Sequence, residues 1–363
     1  MKDYLFTSES VTDGHPDKIC DQIADAILDA AITQDPLSKM AVEATIKDDF
    51  ILVYGECNTK AVIDYVKIAK EVVRSIGYKE HYHVETKVNK QSSEIYNAVT
   101  FNNDIAAGDQ GIMFGYACNE TENYMPLAID TAHKLAKRLS DLKFENDLIR
   151  PDGKTQVTVH YRDNKPVSIH TIVISAQHDA SITQEELRKL IMAEVIAKVV
   201  DPKWLTPETH YYINPSGSFV VGGSFSDSGT TGRKIVVDTY GGTGRIGGGC
   251  FSSKDPSKVD RSAAYYARYV AKNIVANDLA DRCEIQLSYA IGQSTPISVM
   301  VETFGTNHVS EEEIYRLVEK NFDFHVGNLI KELDLLRPIY RSTSNFGHFG
   351  RAGFSWENII KMK

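Results

Sequence analysis

The chain has 363 residues, 49 acidic against 40 basic side chains and a formal net charge of −9, with an ordinary apolar share. That balance disfavours a nucleic-acid backbone as partner but leaves room for a local basic pocket around a small polyanion. No apolar run reaches the roughly eighteen residues that would cross a bilayer, and no apolar N-terminal stretch reads as a signal peptide.

Length suggests two or three compact units. Five scattered cysteines, with no Cys-x-x-Cys pair, argue against a disulfide framework or structural zinc and for reduced thiols in a cytoplasm. A first helical pattern begins at Pro16, a suitable first helical residue, with Ile19, Ile23, Ile27 and Ala30 on one face. Strand runs 41–47 and 50–56 follow, separated by Asp48-Asp49 as in a hairpin, and then a helix over 61–76. Gln91–Ala107 is polar and reads as a long loop. The same order returns as a helix over 127–139, strands over 156–161 and 167–175, and a helix over 183–200 with a capping-box pattern from Ser181 to Gln184. It returns again as a helix over 257–275 capped by Asp255, strands over 284–289 and 297–303, and a helix after Ser310, where Glu313 completes the cap pattern. Helix, hairpin, helix three times over predicts an α+β fold of three pseudo-threefold-related domains, each with a mixed or antiparallel sheet and helices. The expected divisions are 1–100, 109–223 and 225–361, with segments exchanged between units in space.

Four segments between or at the starts of these elements could carry chemistry. Gly14-His15-Pro16-Asp17-Lys18 places a histidine, a carboxylate and an ammonium at a helix start, whose free N–H groups favour phosphate. Asp17 either holds Mg²⁺ or merely complements the dipole, and Lys18 adds charge. Gly108-Asp109-Gln110-Gly111 is a tight turn into an apolar strand, with Asp109 either a site carboxylate or a turn residue. Next comes Thr231-Gly232-Arg233-Lys234, an expected strand over 235–240, and the glycine run 241–249. Gly242-x-Gly244-x-x-Gly247 has dinucleotide-fingerprint spacing, but the next helix pattern starts only near Pro256, so the fingerprint reading fails. What remains is a glycine loop among the cations Arg233, Lys234, Arg245, Lys254 and Lys258, which suggests a polyphosphate pocket. Lys254-Asp255-Pro256-Ser257-Lys258-Val259-Asp260 repeats the pairing of cation and carboxylate at a helix start, either as a solvated face or as the second jaw of a clamp on Mg-triphosphate.

Gly-His-Pro-Asp-Lys, Gly-Asp-Gln-Gly-Ile-Met-Phe-Gly-Tyr-Ala, Thr-Gly-Arg-Lys and Lys-Asp-Pro-Ser-Lys-Val-Asp-Arg-Ser together resemble the methionine adenosyltransferase (S-adenosylmethionine synthetase) family, bacterial type, along essentially the whole chain. The resemblance implies ATP and L-methionine as substrates, sulfur attack on C5′, and hydrolysis of the released triphosphate to pyrophosphate and phosphate. It implies Mg²⁺, two per site, on Asp17 and Asp260, and K⁺ at Glu43. His15, Lys154, Arg233, Lys234, Lys254 and Lys258 match the catalytic set. Asp152, Ser218, Phe219, Asp227 and Cys250 join His15, Lys154, Arg233, Lys234 and Lys254 on the ATP side, with Phe219 stacking on adenine. Glu56, Gln91, Asp227, Lys258 and Ile291 match the methionine side, Gln91 opening a gating loop. The family builds its site at a dimer interface, usually within a homotetramer. Ser218 stands where the family commonly has arginine, Ile246 where it has histidine, Cys250 and Ser253 where it has alanine and glycine, and Ser226 where glycine is common. The gating loop reads Gln91-Ser92-Ser93-Glu94 in place of the usual proline and aspartate. These departures imply altered ATP affinity rather than a different reaction. The rival readings are another Mg-ATP phosphotransferase and a catalytically silent nucleotide-binding subunit.

Overall fold

The computed structural model describes residues 2–90, 100–101 and 104–363, so Gln91 and most of the expected gating loop lie outside the described residues. Strand β1 (Asp3–Val11) precedes helix α1 (Pro16–Gln34), the hairpin of β2 (Lys39–Lys47) and β3 (Phe50–Asn58), helix α2 (Tyr65–Ile76) and β4 (His83–Lys90). After the short ladder of β5 (Thr100–Phe101) and β6 (Asp104–Ile105), β7 (Gly111–Cys118) leads into α3 (Leu127–Glu145), β8 (Ile149–Arg162), β9 (Lys165–His178), α4 (Gln184–Ile191) and β10 (His210–Ile213). The last third holds β11 (Gly229–Thr230), the one-turn α5 (Ile235–Asp238), α6 (Val259–Ala276), β12 (Arg282–Tyr289), β13 (Ser298–Glu302) and α7 (Glu311–Asn321).

The larger sheets have the orders β11-β2-β3-β4, β1-β8-β9-β10 and β13-β12-β7. Each is built on an antiparallel hairpin crossed by one helix and completed by a strand from another part of the chain: β11, β1 and β7 respectively. In the first two, the helix after the hairpin returns the chain as a parallel strand, β4 beside β3 and β10 beside β9. Along β2 burial alternates, so Met40, Val42, Ala44 and Ile46 point inward, as a half-covered strand requires. Ile19, Ile23 and Ile27 of α1 pack against them. Leu135 and Leu139 of α3 meet Val157 and Ile172, and Val270 and Ile274 of α6 meet Ile285 and Leu287. Three hydrophobic cores result among the described residues.

Some local expectations need correction. Residues 235–238 form a helical turn, not a strand: the β-branched run Ile235-Val236-Val237 is overridden by the Asp238 N–H bond to the Lys234 carbonyl at 2.8 Å. The capping box belongs to Thr183 and Glu186, because Ser181 is engaged with Asp179. The helix beyond it breaks into a π turn at Met192–Ile196. Helix α6 begins at Val259, and Asp255 caps the turn before it by accepting from the Ser257 N–H and hydroxyl. Ala30 is only half-buried, and Ala31 takes the core position.

Helix α1 carries a second pattern beside its isoleucines. Asp17, Asp21, Asp25 and Asp29 recur at every fourth position and so share one side of the helix. Asp25 accepts both terminal nitrogens of Arg261 at 2.8 Å, the Ser252 hydroxyl at 2.9 Å and the Ser253 N–H at 3.1 Å. Asp29 accepts the N–H groups of Tyr340 and Arg341 at 2.8 and 2.9 Å. The first helix is thereby bonded to the last third of the chain. Asp25→Ala leaves the buried Arg261 guanidinium without its carboxylate, which costs about 3–5 kcal/mol. The expected result is a large drop in the urea unfolding midpoint; a midpoint within experimental error of the parent would refute the role given to this pair.

Candidate active site

The first group of charged residues gathers where the α1 start meets β8 and the 227–234 segment. His15 caps α1: its Nδ1 accepts the Asp17 N–H at 3.2 Å, so a neutral ring carries its proton on Nε2. Burial, and then the Lys234 charge, push the His15 pKa down to about 3. Asp17 is buried and accepts from Lys234 Nζ at 2.5 Å and the Thr230 N–H at 3.0 Å, with Arg233 Nε 3.5 Å away. Burial raises the Asp17 carboxyl, but the Lys234 hydrogen bond and the Thr230 N–H outweigh it and hold the pKa low. Lys154, on β8 opposite Val11, and the exposed Asp227 both lie within electrostatic reach of His15.

Asp152 sits behind this group. Its carboxylate accepts the Gly223 N–H at 2.8 Å, and its own N–H donates to Gln177 Oε1 at 3.1 Å. Burial pushes its pKa up to about 6. Gln177 also holds the Val220 carbonyl, and His178 binds the Phe219 backbone from both sides at 3.0 Å. A half-buried Phe219 ring and an exposed Ser218 are thus fixed beside Asp152. Gly14 lies so close to Pro151 that a Cβ there would strike its carbonyl, which locks the α1 start onto β8.

The second group lies on the approach to α6. Lys254 Nζ donates to Asp260 at 2.5 Å, and Lys258 Nζ to Asp255 at 2.7 Å. Burial alone would raise the Asp255 carboxyl, but Lys258 and Lys39 hold it down at about 2. Ser257 accepts the Gly108 N–H, and the neighbouring Ala107 exchanges hydrogen bonds with Gly292 and Gln293, which brings the exposed Ile291 to the Lys258 side. Ala41 of β2 bridges to Lys254 and pairs with Glu56 of β3, whose side chain is exposed. Glu43, half-buried two residues along β2, accepts from Tyr54 at 3.3 Å. The two groups meet at Gly232, where a Cβ would lie 2.7 Å from Cys250 Sγ. Burial raises the Cys250 thiol to about 11, so it stays protonated.

Of the residues expected from the sequence, His15, Asp17, Lys154, Asp152, Asp227, Arg233 and Lys234 come together in one group, and Lys254, Asp260, Lys258 and Ile291 in the other. One expectation is corrected. Lys18 points into the interior, bonded to Asp21 and Asp238, and is fully buried. Arg245 pairs with Glu284 through a 3.1 Å ion pair and a backbone bond, and its side chain stays exposed. The residues that sequence reading missed are Asp21 and Asp238; the four-residue spacing of the α1 aspartates was the signal available for the first.

Among the described residues no three His, Cys, Asp or Glu side chains cluster as a metal cage. Separate carboxylates such as Asp17 and Asp260 suit Mg²⁺, which commonly takes one or two protein carboxylates and completes its shell with phosphate and water. Glu43 offers a hard oxygen for a monovalent cation. No helix is long and apolar enough to cross a membrane among the described residues.

Family models described as S-adenosylmethionine synthetase N-terminal, central and C-terminal domains match residues 3–102, 104–219 and 221–358 respectively. The chain is also 50% identical, over 382 aligned positions, to a protein of Clostridium tetani (strain Massachusetts / E88) named S-adenosylmethionine synthase, covering 99% of this chain and 98% of that one.

Burial and the nearby Lys234 charge set how His15 titrates, and the cap sets its tautomer. An unfolded chain protonates it near the ordinary histidine value of 6.5, whereas the fold resists protonation until about 3. Its contribution to stability is therefore complete above pH 6.5 and is lost as pH falls towards 3. In ¹⁵N-edited spectra the His15 ring should remain the neutral Nε2–H tautomer from pH 8 to about pH 5; a titration midpoint near 6.5 would refute its burial beside Lys234, and an Nδ1–H tautomer would show the cap assignment to be wrong.

Proposed function

The chain belongs to the S-adenosylmethionine synthetase family and is a methionine adenosyltransferase, and we propose that the two charged groups described above are the two sides of its active site. The observation that carries this reading is the pairing of cations with carboxylates on both sides: Lys234 with Asp17, and Lys254 with Asp260. Such pairs can exchange partners. Ammonium groups turn to phosphate oxygens while the carboxylates are released to a divalent cation.

In this reading the adenosine side is made by Asp152, Lys154, Ser218, Phe219, Asp227 and Cys250, with the Phe219 ring as the stacking surface for adenine. Glu56, Asp227, Lys258 and Ile291, together with Gln91, orient methionine so that its sulfur faces C5′. Arg233, Lys234 and Lys254 take up the charge that develops on the triphosphate as the C5′–O bond breaks. The His15 Nε2–H donates to the same leaving group, and its depressed pKa keeps it a neutral donor. Mg²⁺ held by Asp17, Asp260 and phosphate oxygens, with K⁺ at Glu43, would supply further neutralisation of that charge. Arg233, Lys234 and Lys254 then hold the triphosphate while a water molecule hydrolyses it to pyrophosphate and phosphate. No nucleophilic side chain takes part.

Self-association through a dimer interface, and assembly into a homotetramer, are part of the proposal. Leu5 is half exposed on β1, and Lys154 is exposed on β8 of the same sheet, which supports an approach of a second subunit beside the nucleotide residues. The free thiols fit a cytoplasmic location.

Purified protein incubated with L-methionine, ATP, Mg²⁺ and K⁺ should form S-adenosylmethionine with pyrophosphate and phosphate. Release of ADP, or no product from a folded oligomer, would overturn the assignment. His15→Asn retains an oxygen acceptor for the Asp17 N–H but lacks the Nε2 donor. It should fold normally and lose about 10²-fold or more in kcat. Full activity in that variant would remove His15 from the chemistry.

A further inference from the structure

Gly14-His15-Pro16-Asp17-Lys18 contains one cation that the proposed chemistry leaves unused. Lys18 is fully buried, and its ammonium donates to Asp21 Oδ2 at 2.9 Å and to Asp238 Oδ1. Both carboxylates are buried as well, so none of the three touches a nucleotide from this position. Each carboxylate instead fixes one end of the same short segment. Asp21 Oδ1 accepts the Gly232 N–H at 2.8 Å. Asp238 closes the α5 turn through its N–H to the Lys234 carbonyl at 2.8 Å, and its own carbonyl accepts the His348 N–H at 3.0 Å. Arg233 and Lys234 lie between these anchors.

The chain just before them is fastened to α1 in the same way. Thr230 N–H donates to Asp17 at 3.0 Å, the Thr231 hydroxyl to the Cys20 carbonyl at 3.3 Å, and Gly229 rests directly on the Pro16 backbone. We propose that Lys18, Asp21 and Asp238 form a buried positioning triad that fixes where Arg233 and Lys234 present their charges to a polyphosphate. The proposal rests on the reading of those two cations as triphosphate contacts. Its physical basis is preorganisation: a long cationic side chain rooted in a fixed backbone loses less freedom on binding, and a displacement of about 1 Å is costly in rate. A buried ion triad is weak grounds for stability alone, since an apolar replacement often serves as well.

Asp21→Ala tests this, because it frees the Gly232 N–H while Lys18 keeps Asp238 as its counterion. The probe is inorganic tripolyphosphate, bound without divalent metal and measured by calorimetry, beside kcat and the methionine KM. The expected result is about tenfold weaker tripolyphosphate binding and a fall in kcat of similar size, with the methionine KM within about twofold of the parent. Asp21→Asn, which retains an acceptor for Gly232, should recover most of that affinity. A folded Asp21→Ala variant with parental tripolyphosphate affinity and kcat would overturn the triad's role, whatever its melting temperature. If the alanine variant does not fold, Asp21→Ser, too short to reach Gly232, is held to the same criterion. Failure of the unsubstituted protein to bind tripolyphosphate would instead overturn the reading of Arg233 and Lys234 themselves.

Discussion

Asp17, Asp21, Asp25 and Asp29 stand one turn apart along α1 and bind three distant segments: Asp17 and Asp21 both hold 230–234, Asp25 holds 252–261, and Asp29 holds 340–341. A carboxylate drawn out of water without partners is costly, so the packing of α1 against its sheet is tolerable only if those segments arrive. The apolar side of the helix secures the first core. Its acidic side secures the last third of the chain. The residues proposed to face phosphate lie on that seam rather than on a projecting loop, which is why Arg233 and Lys234 have a rigid base.

Exposure separates cations that can serve a ligand from cations that cannot. Lys234, Lys254 and Lys258 each pair with a carboxylate yet keep 18–19% of their side-chain surface. Lys18 pairs with two carboxylates and keeps none. An accessible ion pair is worth little in isolation and exchanges readily for a stronger polyanion. A fully desolvated one is held by the absence of any alternative partner. Burial thus divides the same residue type into groups proposed to meet the ligand and a framework group.

Much of this was legible in the chain itself. The hairpins at 39–58 and 149–178 declared themselves through alternation, and the helices through apolar spacing and caps such as Ser310. Motifs also led to the charged residues that the fold gathers into two groups. What stayed hidden depended on tertiary partners. Nothing local in Ile235-Val236-Val237 signals a helical turn, and the turn ends on Asp238, whose carboxylate meets the distant Lys18. The inward direction of Lys18, and the engagement of Arg245 with Glu284, likewise require knowing what packs opposite. The donated strands β1, β7 and β11 could not be assigned to their sheets by periodicity, which gives strand type but not partner.

The glycine run shows why such context decides. Gly242, Gly244 and Gly247 have the spacing of a dinucleotide fingerprint, but each answers a separate demand. Gly242 adopts a φ of +91°, a conformation that side chains disfavour. Gly244 lies against Tyr116 Cβ and the Tyr240 ring, where a Cβ would come within 2.9 and 3.1 Å. Gly247 approaches the Ile112 carbonyl of β7 too closely for any Cβ, and Gly249 does the same against the Asp260 carboxylate. None opens a helix, since α6 begins only at Val259. A fingerprint loop uses glycine to admit pyrophosphate to a helix end; this one uses it to lay backbone directly on the strand and on the carboxylate proposed to meet the metal. Any side chain at 249 would have to displace Asp260, so the loop's composition is tied to the charge beneath it and not to a ligand above it.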